Sequence, residues 1–251
     1  MRSLTAWVPA GCPDIRPGAD LASTVLEVCR SNALELARGD VLVLAQKVVS
    51  KAEGAVVHLA EIIAGPRAEQ LAVEAEKDPR LCQVILDESA RILRVRPGLI
   101  IAEHRLGFIC ANAGVDFSNV GLGSEWVCVL PKDPDGSAVR IRRAIAQAVG
   151  ADVAVIINDT HGRPWREGAV GVAIGVAGLE PIYSYIGRED LYGYVLHSSI
   201  ESVADELAAT ASLLQGQAAE GTPLVVIRGA RFLPGAGRTK LLREPDKDMF
   251  R

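Results

Sequence analysis

Residues 153–157 read Val153, Ala154, Val155, Ile156, Ile157, five apolar residues with no polar position among them and all four of the larger ones bearing the branch at Cβ. Such a run fits a strand buried on both faces, and the groups that come after it lie at the strand's carboxyl end, where loops carry chemistry. The chain continues with Asn158, Asp159, Thr160, His161, Gly162, Arg163, Pro164, Trp165, Arg166, Glu167 and Gly168. This segment is predicted to be an active-site loop. Asp159 and Thr160 offer oxygen ligands for a hard divalent cation, Arg163 and Arg166 offer forks for phosphate or carboxylate, and the glycines permit close backbone approach. An Asx-turn carrying solvated charges is the plain alternative. The two arginines, the tryptophan and a second acidic loop upstream favour a site.

The net charge of -4 gives no broad attraction to nucleic acid or membrane, so any phosphate site must be local. With 49% hydrophobic and only 4% aromatic residues, the core should consist of Val, Leu, Ile and Ala. Residues 1–9 lack the apolar stretch of a signal peptide, and no run approaches the roughly 20 residues that span a bilayer, so a cytoplasmic protein is expected. Cys12, Cys29, Cys82, Cys110 and Cys128 are widely spaced and form no C-x-x-C pair. They read as small buried residues in a reducing compartment. His58, His104, His161 and His197 show no metal-ligand spacing.

In chain order, residues 4–8 predict a strand and residues 10–18 a rigid loop. Asp20 should cap a helix of about five turns ending near Leu36, with Arg38-Gly39 as its stop signal. Residues 41–45 form a second buried strand running into Gln46, Lys47, Val48, Val49, Ser50 and Lys51. A phosphate-contacting loop and a solvated turn fit that segment equally. Residues 66–77 and 79–89 predict helices with proline in the first turn, and residues 92–95 and 99–102 predict strands around Pro97-Gly98. Residues 111–119 form the second acidic loop, with Asp116 as a candidate ligand and Asn112 and Asn119 as hydrogen-bonding partners. A strand at 126–130 precedes a helix at 135–149, the latter carrying Arg140, Arg142 and Arg143, which suit a solvated face or an anion dock. Residues 170–177 predict a strand, 202–214 a helix, 215–222 a polar loop and 224–227 a last buried strand. The tail from Pro234 should wrap the surface or a partner subunit. No linker or repeat divides the chain, so residues 1–251 are taken as one unit.

No G-x-x-x-x-G-K-[ST], complete G-x-G-x-x-G or kinase signature is present. Two separated Asp loops, a Lys loop and arginines nevertheless suit a polyphosphate held through divalent cations.

Three stretches then point to one family: Ala45 to Gly54, Gly107 to Asp116 with Ser118-Asn119, and Asp159-Thr160 with Gly162 to Gly168. Together they resemble the signatures of coenzyme F420-0:L-glutamate ligases, over nearly the whole chain. The resemblance implies an α+β fold of mixed sheets with flanking helices, without P-loop or Rossmann motif, found as an intertwined homodimer. It implies a GTP-dependent enzyme using Mg²⁺ or Mn²⁺, with K⁺ as a further candidate ion. The substrates would be F420-0 and L-glutamate, with no nucleic acid or membrane partner. Carried over by position, Asp116 and Asp159 would share one metal, while Thr160 and Gln217 would serve a second. Cys12, Pro13, Asp14, Ile15, Gln46, Lys47, Lys51, Asn119, Gln215, Gly216, Gln217, Ala218, Ala219, Glu220, Gly221 and Thr222 match its GTP contacts. Lys51, Asp116 and Asp159 are the candidate catalytic residues, and Arg163 and Arg166 the candidate substrate contacts.

The chain departs from the family pattern at three places. Leu106 stands where His is usual, Ala169-Val170-Gly171 where Gln-Thr-Asp/Asn is usual, and Ser184 where Asp is common. All three fall on the acceptor side, which keeps open a second reading: a related metal-dependent phosphoryl-transfer ligase acting on a different carboxylate.

Overall fold

The computed structural model describes residues 2–249. In order, the chain forms β1 (Thr5–Trp7), α1 (Leu21–Ser31), β2 (Val41–Ala45), α2 (Gln46–Ala52), β3 (Val56–His58), α3 (Pro66–Ala75), α4 (Pro79–Glu88) and β4 (Ser89–Arg96). Next come β5 (Leu99–His104), β6 (Ile109–Ala111), β7 (Trp126–Cys128), α5 (Pro134–Val149), β8 (Ala154–Arg163) and β9 (Arg166–Ala177). The last elements are β10 (Tyr183–Ser184), β11 (Ile200–Glu201), α6 (Val203–Gln215) and β12 (Leu224–Arg228).

A five-stranded sheet runs β1-β12-β2-β8-β9. Its β2 and β8 are parallel and its other pairs antiparallel. The apolar runs of β2 and β8 have no polar positions because both faces are covered. Leu42, Leu44, Val155 and Ile157 pack with α1 and α5, whereas Val41, Val43, Ala154 and Ile156 pack with α6. Period-two alternation thus sorts each strand between two cores. A third core joins α3 and α4 to the β4-β5-β6 sheet through Leu71, Ile85, Ile100 and Ala102. The mixed α+β architecture with flanking helices is as the resemblance implies.

Three sequence expectations need correction. Asp20 does cap α1, accepting from the N–H groups of Ala22 and Ser23, but the helix stops at Ser31 rather than near Leu36. Asn32 turns its side chain back, donating to the carbonyls of Val28 and Ala10 at 2.8 and 2.9 Å, and Ala33 adopts φ 51°. This side-chain cap outcompetes further helix. Residues 46–52 are neither turn nor loop: they are α2, which continues β2 directly and is anchored by fully buried Val49. The predicted loop after Ile157 is instead a hairpin. β8 extends to Arg163 and pairs with β9 beyond a bulge, since Ile157 faces Gly175 while Asn158 faces Ala173.

Of the arginines on α5, Arg140 pairs with Glu53 at 2.7 Å, and Arg142 bonds Asp152 and the Val153 carbonyl. These two tie elements together. The tail wraps the chain's own surface: Arg238 pairs with Asp135, Lys240 pairs with Glu180, and Leu242 packs against the core beside Gly107. Of the tail, residues 250 and 251 lie outside the described residues.

Candidate active site

The parallel register sets Ala45 beside Asn158, so β2 and β8 end at one level. From that edge α2 departs on one side and Asp159 and Thr160 on the other. Lys47 and Lys51, four apart, share one face of α2, while Gln46 and Ser50 share a buried face and bond each other at 2.9 Å. The loop at residues 12–15, the acidic turn at 116–119 and the segment after α6 close around this edge. The result is a cleft of about 470 Å³, within the range of small-molecule sites.

Of the residues singled out from the sequence, the cleft gathers Cys12, Pro13, Asp14, Ile15, Gln46, Lys47, Lys51, Asp116, Asn119, Asp159, Thr160, Gln215, Gly216, Gln217, Ala218, Glu220, Gly221 and Thr222. Ala219 is exposed and does not line it. Arg163 and Arg166 also stand outside, at the hairpin end, where Arg163 donates to the Glu167 carbonyl at 3.0 Å and Arg166 is exposed. Sequence reasoning did not select Ser118 or Asn158 as site residues, yet both line the cleft. Their signal was adjacency to Asp116 and Asp159.

The electrostatics are specific. Lys51 lies 2.6 Å from Asp14, which holds that carboxyl below its ordinary pKa. Burial pushes Asp116 up, but hydrogen bonds from Lys47 and Ser118, together with the Lys47 charge, outweigh it and leave the carboxyl depressed. Asp159 pairs with His161 at 3.0 Å, and His161 sits edge-on to Phe108 with ring centroids 6.1 Å apart. Behind the cleft, burial first and then Asp159 push the Cys110 thiol to about 12. Cys128 is raised to about 11, chiefly by burial, with Asp116 and Asp159 both contributing. These thiols are inert packing groups at neutral pH.

Four carboxylates, Asp14, Asp116, Asp159 and Glu220, line the cleft against two ammonium groups, Lys47 and Lys51. By formal charge the lining carries an excess of two negative charges, which works against a bare polyphosphate. The donor set fits a hard divalent ion: the carboxyl oxygens of Asp116 and Asp159, the Thr160 hydroxyl, and the amide of Gln217, whose Nε2 lies 3.4 Å from Thr160 Oγ1. Among the described residues no group of three or more His, Cys, Asp or Glu could hold a metal. Neutral oxygens would therefore have to complete the coordination.

The cleft lies within the part of the chain that matches a ligase family. A family model described as F420-0:Gamma-glutamyl ligase matches residues 11–229, and the chain belongs to that family and is a ligase. It is 48% identical over 246 residues to the coenzyme F420:L-glutamate ligase of Methanothermobacter thermautotrophicus, covering 96% of each chain. It is 49% identical over 242 residues to the Methanopyrus kandleri enzyme of the same name, covering 94% of this chain and 93% of the relative. With the Archaeoglobus fulgidus enzyme the identity is 41% over 241 residues, covering 96% and 94%. Among the described residues no helix is long and apolar enough to cross a membrane.

Proposed function

We propose that the chain joins L-glutamate to coenzyme F420-0 at the expense of GTP, and that it can add further gamma-linked glutamates. The observation that carries this is the cleft itself, where two lysines and two separated acidic segments converge from distant parts of a chain whose relatives bear that name. A carboxylate forms an amide at neutral pH only once one of its oxygens becomes a leaving group. The lactyl carboxylate oxygen would attack the γ-phosphorus, releasing GDP and forming an acyl phosphate. The glutamate amine would then attack the acyl carbon, losing a proton and expelling phosphate.

The residues contribute position and charge. Lys47 and Lys51 would contact the phosphates, and the backbone of residues 216–222 would frame the nucleotide. Asp116 and Asp159 would hold one divalent cation and Thr160 and Gln217 a second. Such ions, when bound, neutralise β- and γ-phosphate charge. His161 would orient Asp159 through its 3.0 Å contact. Arg163 and Arg166, outside the cleft, are assigned to the acceptor, and a homodimer is the proposed assembly.

The test is mass spectrometry of a reaction holding F420-0, GTP, Mn²⁺ or Mg²⁺ and glutamate, with ¹⁸O in the lactyl carboxylate. Stepwise gain of glutamyl units, with one labelled oxygen in the phosphate released by the first coupling, is expected. Product with only solvent oxygen in phosphate overturns the acyl phosphate. No product from F420-0, but turnover with another carboxylate, would favour the alternative acceptor.

A further inference from the structure

Asp116 already carries a cation. Lys47 Nζ lies 2.6 Å from its Oδ2 and also bonds Ser118 Oγ. Ser118 in turn donates its hydroxyl to Oδ2 and its backbone N–H to Oδ1, each at 2.9 Å. The Oδ2 edge is thus filled by an ammonium and a hydroxyl. A divalent ion brought to Oδ2 has to compete with the ammonium and the hydroxyl for that oxygen's lone pairs, and the two cations repel each other. The anchor of Lys47 is fixed, because Val49 is fully buried two residues on, but its four-carbon stem can swing.

From this we infer that Lys47 is the resident counter-ion of Asp116, and that a divalent cation displaces it and sends its ammonium to the incoming polyphosphate. One side chain then couples the two binding events: the cation frees Lys47, and the phosphate rewards its release. Lys51 is built otherwise. Its partner Asp14 is an exposed residue on the loop before α1, remote from the proposed ligands in sequence, so phosphate alone can compete for it. The inference rests on Asp116 being a cation ligand.

Binding of Mn²⁺ to the nucleotide-free full chain, read by the loss of the free-ion electron paramagnetic resonance signal, tests it. Lys47→Met should bind Mn²⁺ about five- to tenfold more tightly than wild type, having no cation to displace, whereas Lys51→Met should match wild type. In the wild-type chain, competitive acetylation coupled to peptide mass spectrometry should show Lys47 becoming more reactive with Mn²⁺ alone. A non-hydrolysable GTP analogue added next should protect it. Unchanged or weaker Mn²⁺ binding in Lys47→Met with a wild-type melting curve, or Lys47 reactivity indifferent to Mn²⁺, overturns the exchange. If neither wild type nor Lys47→Met binds Mn²⁺, the assignment of Asp116 as a ligand falls, and the exchange with it.

Discussion

Asn158 donates its Nδ2 to Oε1 of Gln215 at 2.7 Å, joining two buried amides 57 positions apart. The orientation of both is set by their surroundings. Gln215 Nε2 faces the carbonyls of Pro223 and Val43, at 3.0 and 3.4 Å, so its oxygen must accept and Asn158 must donate. The side chain of Gln215 is therefore occupied in bolting the end of α6 to β2 and β8. Any contact it makes with a nucleotide would come from its backbone.

Removing either amide should strand buried partners. Asn158→Ala and Gln215→Ala are each expected to lower stability by about 1–3 kcal/mol in urea denaturation, with the double variant costing less than the sum. Strict additivity would show that the two amides are not coupled.

The carboxylates should behave as a unit. Asp116→Asn and Asp159→Asn are each expected to abolish turnover with little change in melting temperature, and the double variant should be no worse. Substantial activity in either single variant removes that residue from the site.

Gly171 is pinned by packing. A Cβ there would lie 2.5 Å from the Ala208 carbonyl, 2.7 Å from Asn158 Oδ1 and 2.7 Å from Ser212 Cβ. The departure from the family pattern at this position thus suits the packing of α6 on β9. Gly171→Ala should cost about 1–3 kcal/mol, measured as a lowered denaturation midpoint. A neutral substitution would mean that α6 can shift outward.

Arg166 at the hairpin end should not touch nucleotide. Arg166→Ala is expected to leave GTP-analogue affinity unchanged by calorimetry while raising KM for the acceptor. Weakened nucleotide binding would bring the hairpin end into the nucleotide site.

Acid should destabilise the fold. Asp78 is depressed mainly by its bond from Arg80, and Asp20 by Ser23; Glu88 is pushed up by burial, but His104 and Arg105 outweigh this and depress it. For each, the unfolded chain takes up the proton first, so the stabilisation is complete above the ordinary value of 4.5 for Glu and 3.8 for Asp and is lost as pH falls through the depressed values. The melting temperature should therefore hold down to about pH 5 and fall below it. Glu206, raised by burial and by Glu201, works in the opposite sense. A melting temperature that rises between about pH 5 and pH 3 would mean that such raised groups dominate.

The buried strands were legible because Val41 to Leu44 and Val153 to Ile157 admit no polar residue, which only burial on both faces explains. Most cleft residues were legible through the resemblance, since the three motifs stand together. Local pattern failed where tertiary contacts decide. Val48 and Val49 disguised α2, whose stability comes from packing Val49. The polar residues after Ile157 concealed a hairpin because the pairing strand β9 supplies its hydrogen bonds. The Lys47–Asp116 and Lys51–Asp14 pairs join positions far apart in sequence, and no spacing rule reaches them. Arg163 and Arg166 looked like anion forks by type, but strand geometry carries them past the cleft.

The order of strands in the central sheet bears on how the molecule comes into being. β12, the last strand, lies between β1 and β2, the first two. On a ribosome the amino-terminal strand thus has no neighbour to join until residues 224–228 have emerged. The backbone of β2 likewise keeps one open edge through most of synthesis. An unfinished chain consequently lacks both the completed sheet and the segment after α6 that closes the cleft. A chaperone shielding the free edge of β2 would have its greatest effect before β12 arrives.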